Sequence, residues 1–373
     1  MVLAFAYSGR YNTPPVVNVS TQQRRGRAWV EVNLTNLIAN ARTVQLAAGG
    51  SPLLPMVKAN AYGLGAVRVA RALEVLEPWG FGVATVQKAI ELREAGIDRP
   101  LVIFTPVTSA KRDLYAEYGL RATIDDPDVA ATWQLPYHVE IDTGMSRCGI
   151  RYDDVRLASI ATDNMEGAFT HFFAADIRPD TVDRQWNRFT AAIDQIGKDG
   201  MLLHAANSAG SWRLQRRLDL TRPGIFLYGG RCGDDLPEPH PVVSVRANVV
   251  SLRLIPKGES VSYAGEWTAP QDTTVATVRI GYGDGFPWAA RGKATVLIGG
   301  RRYPVVGRVT MDFVMVDLGP RPSSIRVGDV ATIIGEDSGE QITLDELAEW
   351  SGTISYEILT RIGDRLKREY LDG

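Results

Sequence analysis

The sequence predicts an α/β fold, a (β/α)8 TIM barrel followed by a C-terminal mostly-β domain, and three observations predict it. Between about residues 29 and 240, short apolar runs alternate with stretches at helical spacing. This is the beat of βα units, whose parallel strands need covered faces and long crossovers. Lys58, Arg147, His171, Asn207-Ser208 and Arg222 fall just after predicted strands, and a barrel gathers its chemistry at strand carboxyl ends. From about Pro241 the texture changes to Val-rich alternating strands punctuated by glycine and proline. A doubly wound dinucleotide sheet fits less well, because no well-placed Gly-x-Gly-x-x-Gly follows the first strand.

The elements follow in order. Trp29 to Leu34 alternates as a strand, and apolar positions then recur at helical spacing as far as Leu46. Strand-like Leu53 to Val57, helix-like Val67 to Leu76, strand-like Gly80 to Val83, helix-like Val86 to Ala95 and strand-like Pro100 to Phe104 continue the beat. It resumes through His138 to Ile141, Met165 to Thr170, a helix around Thr181 to Ile196, and Leu202 to Ala205. In the second domain the expected strands are Val242 to Leu254, Thr273 to Ile280, Lys293 to Ile298, Arg302 to Val305, Phe313 to Asp317 and Asp329 to Ile334. A helix near Leu344 to Trp350 precedes a terminal element from Ile354. The division is therefore an N-terminal extension over 1–27, a barrel over 28–240 and a β domain over 241–373.

Composition narrows the function. A chain of 373 residues, 45% hydrophobic, can bury more than one core. A net charge of −2 offers no broad attraction to nucleic acid or acidic membranes. Cys148 and Cys232 allow at most one disulfide and are read as reduced thiols, with no metal-ligand cluster expected. The apolar opening Met1 to Tyr7 lacks a basic leader, and no apolar run reaches transmembrane length, so a cytoplasmic location is the default.

The candidate chemistry begins at Lys58, in Pro55-Met56-Val57-Lys58-Ala59-Asn60-Ala61-Tyr62-Gly63-Leu64-Gly65. A buried amine is costly unless paired or covalently used, which invites a Schiff-base reading, although a strand-end lysine in a glycine-bearing loop would look the same. His204 to Gly210 offers small residues, a hydroxyl and closely spaced backbone donors; it suits a phosphate cradle or an ordinary helix-capping turn. Arg222, His171 and Tyr263, taken singly, are equally compatible with an ion pair, a core histidine and a packed strand-end aromatic.

Taken in order, Lys58, His171, Arg222, Tyr263, Met311-Asp312 and Tyr356 resemble the motifs of bacterial alanine racemases, over roughly residues 28 to 370. The resemblance implies pyridoxal 5'-phosphate (PLP), bound through a Schiff base to Lys58. It implies phosphate contacts from Tyr62, Ser208 with nearby backbone including Asn207, Gly224, Ile225 and Tyr356. It sets Arg222 against the pyridine nitrogen, where a guanidinium that keeps its proton leaves the ring nitrogen unprotonated and favours prompt reprotonation over decarboxylation. His171 would pack against the ring, and Arg147 would bond the phenolic oxygen and position the substrate carboxylate. Tyr263 would be the second base opposite Lys58, a role that needs a positive neighbourhood favouring the phenolate. Met311 and Asp312 would add carboxylate contacts, while Tyr282, Asp176 and Arg308 line the access channel. In the family the β domain recruits an amino-terminal strand, here Trp29 to Leu34. It also carries Tyr263 to the barrel of the other subunit in a head-to-tail homodimer. The implied product is D-alanine for peptidoglycan.

The chain also departs from the pattern. Glu140 stands where many members carry a carbamylated lysine, and a carboxylate supplies that negative charge directly. Leu64 replaces a common histidine, Trp288 a channel arginine and Phe313 a glutamine. These changes touch the channel more than the bases, so a broader amino-acid racemase, such as one acting on serine, is the alternative. A silent PLP-binding barrel would lack the β domain and its tyrosine, and Arg222 argues against a decarboxylase.

Overall fold

The structure, a computed structural model, describes residues 28–108, 111–320 and 324–372. The N-terminal extension over 1–27 lies outside them.

Parallel pairing joins Phe81–Val83, Leu101–Pro106, Arg121–Ile124, Tyr137–Asp142, Met165–Phe169 and Leu202–His204 in that order. The ring closes through thinner contacts. Met56 bridges Gly82 and Leu53 bridges Thr221, both parallel, and the backbone of Leu54 and Met56 donates to Thr221 and Pro223 at 2.8 and 2.9 Å. Asp219 N donates to Leu203 O and Arg222 N to Ala206 O, so the segments around Leu53–Val57 and Leu220–Arg222 are the first and eighth barrel strands. Thr123 and the Arg121–Ile124 strand carry too short an alternation to announce themselves in sequence.

Helices cover the barrel for local reasons. Asn33 caps Leu34–Ala47 by accepting from Asn36 N at 2.9 Å, and Leu37, Ala41 and Val44 bury one face at helical spacing. The predicted helix to Leu76 is α-helical over Ala66–Leu73 and tightens into a 3-10 turn over Glu74–Leu76. Asp180–Ile196 buries Trp186, Phe189 and Ala192 and ends at Gly197 in the left-handed conformation.

The second domain is built around Val243–Ile255, which pairs with Thr273–Val278, Val330–Asp337 and Ala28–Asn33. Following neighbours from Val243–Ile255 through Thr273–Val278, Val314–Asp317, Arg301–Val306, Thr295–Ile298 and Val330–Asp337 returns to the start, a closed ring of antiparallel strands. Ala28–Asn33 and Lys367–Leu371 extend it, parallel to one another. The first strand of the barrel's sequence thus belongs to the second sheet. The helix Ser355–Thr360 sits at the junction: Leu359 O occupies the space an added Cβ on Gly63 would need, 2.6 Å away.

Candidate active site

Lys58 follows the first barrel strand and opens a turn with unusual backbone. Ala59, Asn60, Ala61 and Tyr62 have φ of 50, 57, 52 and 54°, a left-handed helical turn of four non-glycine residues. Such backbone costs roughly 1–2 kcal/mol per L-residue. The turn is held by Ala61 N to Val57 O at 2.9 Å, Gly63 N to Ala59 O at 2.8 Å, and Asn60 Oδ1 accepting from Ala66 N at 2.9 Å. Its effect is to place Lys58 and Tyr62 together in one cavity.

That cavity is lined by Lys58, Tyr62, Glu140, Arg147, His171, Asn207, Ser208, Arg222, Gly224, Ile225 and Tyr356, with Met56, Phe104 and Phe169, and spans about 620 Å³ including its open mouth. Ten of these are sequence-predicted candidates, brought together from separate strand ends. Among the described residues, four larger clefts gather no lysine, histidine and hydroxyl set of this kind.

The cavity's electrostatics weaken the hold of the amine on its proton. Burial, then the charges of Arg147 and Arg222, lower the Lys58 pKa. Arg222 is 3% exposed. Its Nη1 donates to His204 O at 2.8 Å and meets His204 Nδ1 at 2.9 Å, while Nη2 donates to Thr170 O at 2.7 Å and Ala205 O at 3.2 Å. Burial pulls the guanidinium down to about 9, opposed by Glu140, so it remains a cation at neutral pH. His171 Nδ1 lies 3.4 Å from Arg222 Nη2, and burial beside Arg222, Arg147 and Lys58 lowers the imidazole to about 3, which keeps it neutral. Burial raises the Glu140 carboxyl to about 7, with Arg147 and Arg222 pulling it down.

At the other end of the cavity Ser208 Oγ accepts from Gly224 N at 2.9 Å, and Asn207 Oδ1 accepts from Gly210 N at 2.9 Å. A Cβ on Gly224 would lie 2.5 Å from Tyr62 Oη, so glycine is required for the hydroxyl to reach that backbone. Tyr62 stacks on Tyr228, centroids 4.6 Å apart, and Tyr356 lies 6.0 Å from Tyr62. Burial raises both Tyr62 and Tyr356, which hold their protons and serve as donors.

The remaining candidates, apart from Asp176 on the barrel, form a second set on the β domain, away from the cavity lining. Tyr263 is 70% exposed, and Tyr282 and Met311 are also exposed. Tyr282 N donates to Thr310 O and Gly283 N to Met311 O, while Arg365 binds Asp312. Arg308 pairs with Glu266 beside Tyr263, and Ser262 Oγ donates to Arg308 O at 2.8 Å. Asp176 lies near Tyr356 in a neighbouring cleft. Sequence reasoning named His204 only as the start of a small-residue turn and gave no role to His138 or Thr170; in the structure His204 and the Thr170 carbonyl buttress Arg222, with His138 behind His204. Histidines within otherwise apolar strands were the available signal.

Fold and site define a class: a two-domain α/β-barrel protein with a lysine-bearing cavity where the strands end. The matches to known proteins are specific. The family profile for the alanine racemase N-terminal domain covers residues 32–232, and that for the C-terminal domain covers 242–370. The chain belongs to the alanine racemase family, a family of enzymes. It is 36% identical over 367 residues to the alanine racemase of Carboxydothermus hydrogenoformans, covering 92% of this chain and 99% of that one. The Geobacter sulfurreducens alanine racemase is 35% identical over 349 residues, 87% of this chain and 91% of that one. Among solved structures, alanine racemase from Bacillus anthracis with bound L-Ala-P matches with a TM-score of 0.85 at 31% identity, over 93% of this chain and 95% of that one. Alanine racemase from Bartonella henselae with covalently bound pyridoxal phosphate matches at 0.84 and 27% identity, over 93% and 100%. No helix among the described residues is long and apolar enough to cross a membrane.

Proposed function

We propose that this chain interconverts L-alanine and D-alanine by moving a proton off and onto Cα from opposite faces, with PLP as cofactor. The observation that carries the reading is Lys58: an amine driven towards neutrality beside Arg222, at the end of a barrel strand. The cofactor's requirements match the cavity. Tyr62, Ser208, Gly224, Ile225 and Tyr356 are suited to its phosphate, Lys58 to its aldehyde, and Arg222 to its ring nitrogen. The glycine-tyrosine approach at Gly224 is the structural feature that suits a small anion there.

When bound, PLP supplies an aldehyde for the substrate amine and an electron-withdrawing ring that acidifies the Cα proton. Lys58 takes or returns that proton on one face. Tyr263 of a second subunit does so on the other, each turnover removing one proton and delivering one. Arg222, a donor that keeps its proton, would face the ring nitrogen and leave it unprotonated, which would favour return of the proton to Cα. Arg147 holds the substrate carboxylate, and Glu140 supplies the charge that steadies Arg147. Met311, Asp312 and Tyr282 narrow the approach from the partner's side, in a head-to-tail homodimer.

A Lys58→Ala variant is expected to lose the cofactor's protein-bound absorbance and racemisation; unchanged turnover would contradict the reading. Tyr263→Phe is expected to cripple proton removal from L-alanine much more than from D-alanine, measured as Cα hydrogen exchange from each enantiomer. Equal retention in both directions would remove Tyr263 from its role.

A further inference from the structure

A line of polar side chains runs from Arg222 away from the cavity, towards the amino ends of the barrel strands. Arg222 Nη1 meets His204 Nδ1 at 2.9 Å, His204 Nε2 meets His138 Nδ1 at 2.9 Å, and His138 Nε2 lies 3.4 Å from Glu166 Oε2. Arg121 Nε binds the same carboxylate oxygen at 3.1 Å. Both imidazoles are fully buried, while the Glu166 side chain is 30% exposed.

The direction of every bond in this line is fixed by its first member. A guanidinium has only donors, so His204 Nδ1 accepts and His204 Nε2 carries the hydrogen. His204 Nε2 then donates to His138 Nδ1, which places the second hydrogen on His138 Nε2; that atom makes no hydrogen bond of good geometry and has the Glu166 carboxylate as its charged neighbour at 3.4 Å. Reversing any link would set two donors or two acceptors face to face. Desolvation lowers both histidine pKa values, as a line of neutral imidazoles requires. The fold makes room for the arrangement: a Cβ on Gly167 would lie 2.6 Å from His138 Nδ1, and Phe169 stacks on His204 with centroids 5.0 Å apart.

We propose that Glu166, with Arg121 steadying it, is a positioning residue for Arg222, acting through His138 and His204. Its carboxylate, an acceptor at the far end of the line, reinforces the tautomers that the guanidinium requires and so helps hold Arg222 in one orientation. The terminal nitrogens are tied to protein acceptors, and among the described residues Nε–H has no acceptor, leaving it for the cavity. The inference deepens the reading of Arg222 as partner of the cofactor's ring nitrogen and rests on it.

The test is nitrogen-15 NMR of cofactor-loaded protein labelled in histidine and arginine, for wild type, E166Q and E166A, alongside kcat, KM and the cofactor absorbance spectrum. Glutamine retains an acceptor oxygen, so E166Q is expected to keep protonated Nε2 on both rings with little loss of kcat. E166A is expected to mix the His138 and His204 tautomers, shift the Arg222 side-chain resonances, alter the absorbance band and lower kcat about tenfold with KM nearly unchanged. The proposal is overturned if E166A leaves the histidine and Arg222 signals as in wild type, or if they change while kcat and absorbance do not. Failure of the wild-type chain to racemise would strike the functional reading instead; the histidine and arginine signals would still decide whether Glu166 orients Arg222.

Discussion

Burial pushes the Glu140 carboxyl up to about 7, against the pull of Arg147 and Arg222. A folded value raised above the unfolded one gives stability that is full below about pH 4.5 and is lost as pH rises through about 7. Glu140→Gln is therefore expected to gain stability over wild type above that pH, by up to about 3 kcal/mol in denaturant unfolding of the apoprotein. Activity runs the other way. The wild-type to E140Q ratio of kcat/KM is expected to be about tenfold near pH 8.5 and to fall towards one near pH 5.5, where the wild-type carboxyl is protonated and resembles the amide. A ratio flat across that range would show that the charge on Glu140 does not steady Arg147. Because the charge is intrinsic to the side chain, stripping carbon dioxide from the buffer is expected to leave the rate unchanged. Lys58, Arg222 and Ser208 fall after predicted strands, but position and chemical type alone also fit a loop lysine, an ion pair and a capping turn; the order of motifs along the chain is what singled them out. The shift on Glu140 was not legible in the sequence, since it depends on how deeply neighbouring strands enclose it.

At the scale of elements, the turn Ala59 to Tyr62 is the least legible part of the chain. Gly63 and Gly65 announce a turn, yet four successive L-residues at positive φ have no sequence signature. Tertiary contacts impose it: Asn60 caps Ala66, and Gly63 packs its backbone on Leu359. Gly63→Ala would put a methyl 2.6 Å from Leu359 O at a φ of 87°. Displacing the Ser355–Thr360 helix should cost about 2 kcal/mol or more and move Tyr356, so cofactor affinity should fall with stability, read by titration and thermal melting. Ala59→Gly, at an exposed position with φ 50°, should raise stability by about 1 kcal/mol or less, the relief of the left-handed backbone offset by unfolded-state entropy. The first and eighth barrel strands were also hard to read. Around Leu53 and Thr221 they pair through single bridges, too little for periodicity to register, whereas Val243–Ile255 declares itself by alternation over its whole length.

For the whole molecule, the division of the candidates into two sets has a direct consequence. Tyr263, Tyr282, Trp288, Met311 and Phe313 expose apolar surface on the β domain, while the lysine cavity opens on the barrel. If two copies pair head to tail, each site takes Lys58 from one copy and Tyr263 from the other. A Lys58→Ala subunit combined with a Tyr263→Phe subunit then forms one intact site per mixed dimer. An equal mixture after subunit exchange is expected to recover about a quarter of wild-type activity from two inactive parents, and recovery no greater than the parents' sum would exclude a shared site.

The most direct measurement of the central claim is chiral product analysis in deuterated buffer, with purified PLP-loaded protein given L-alanine and, separately, L-serine. Rapid formation of D-alanine carrying Cα deuterium, with serine turned over much more slowly, is the predicted result. Comparable serine conversion would make this a broader racemase, and deuterium exchange at Cα without any D-enantiomer would contradict proton transfer from two faces.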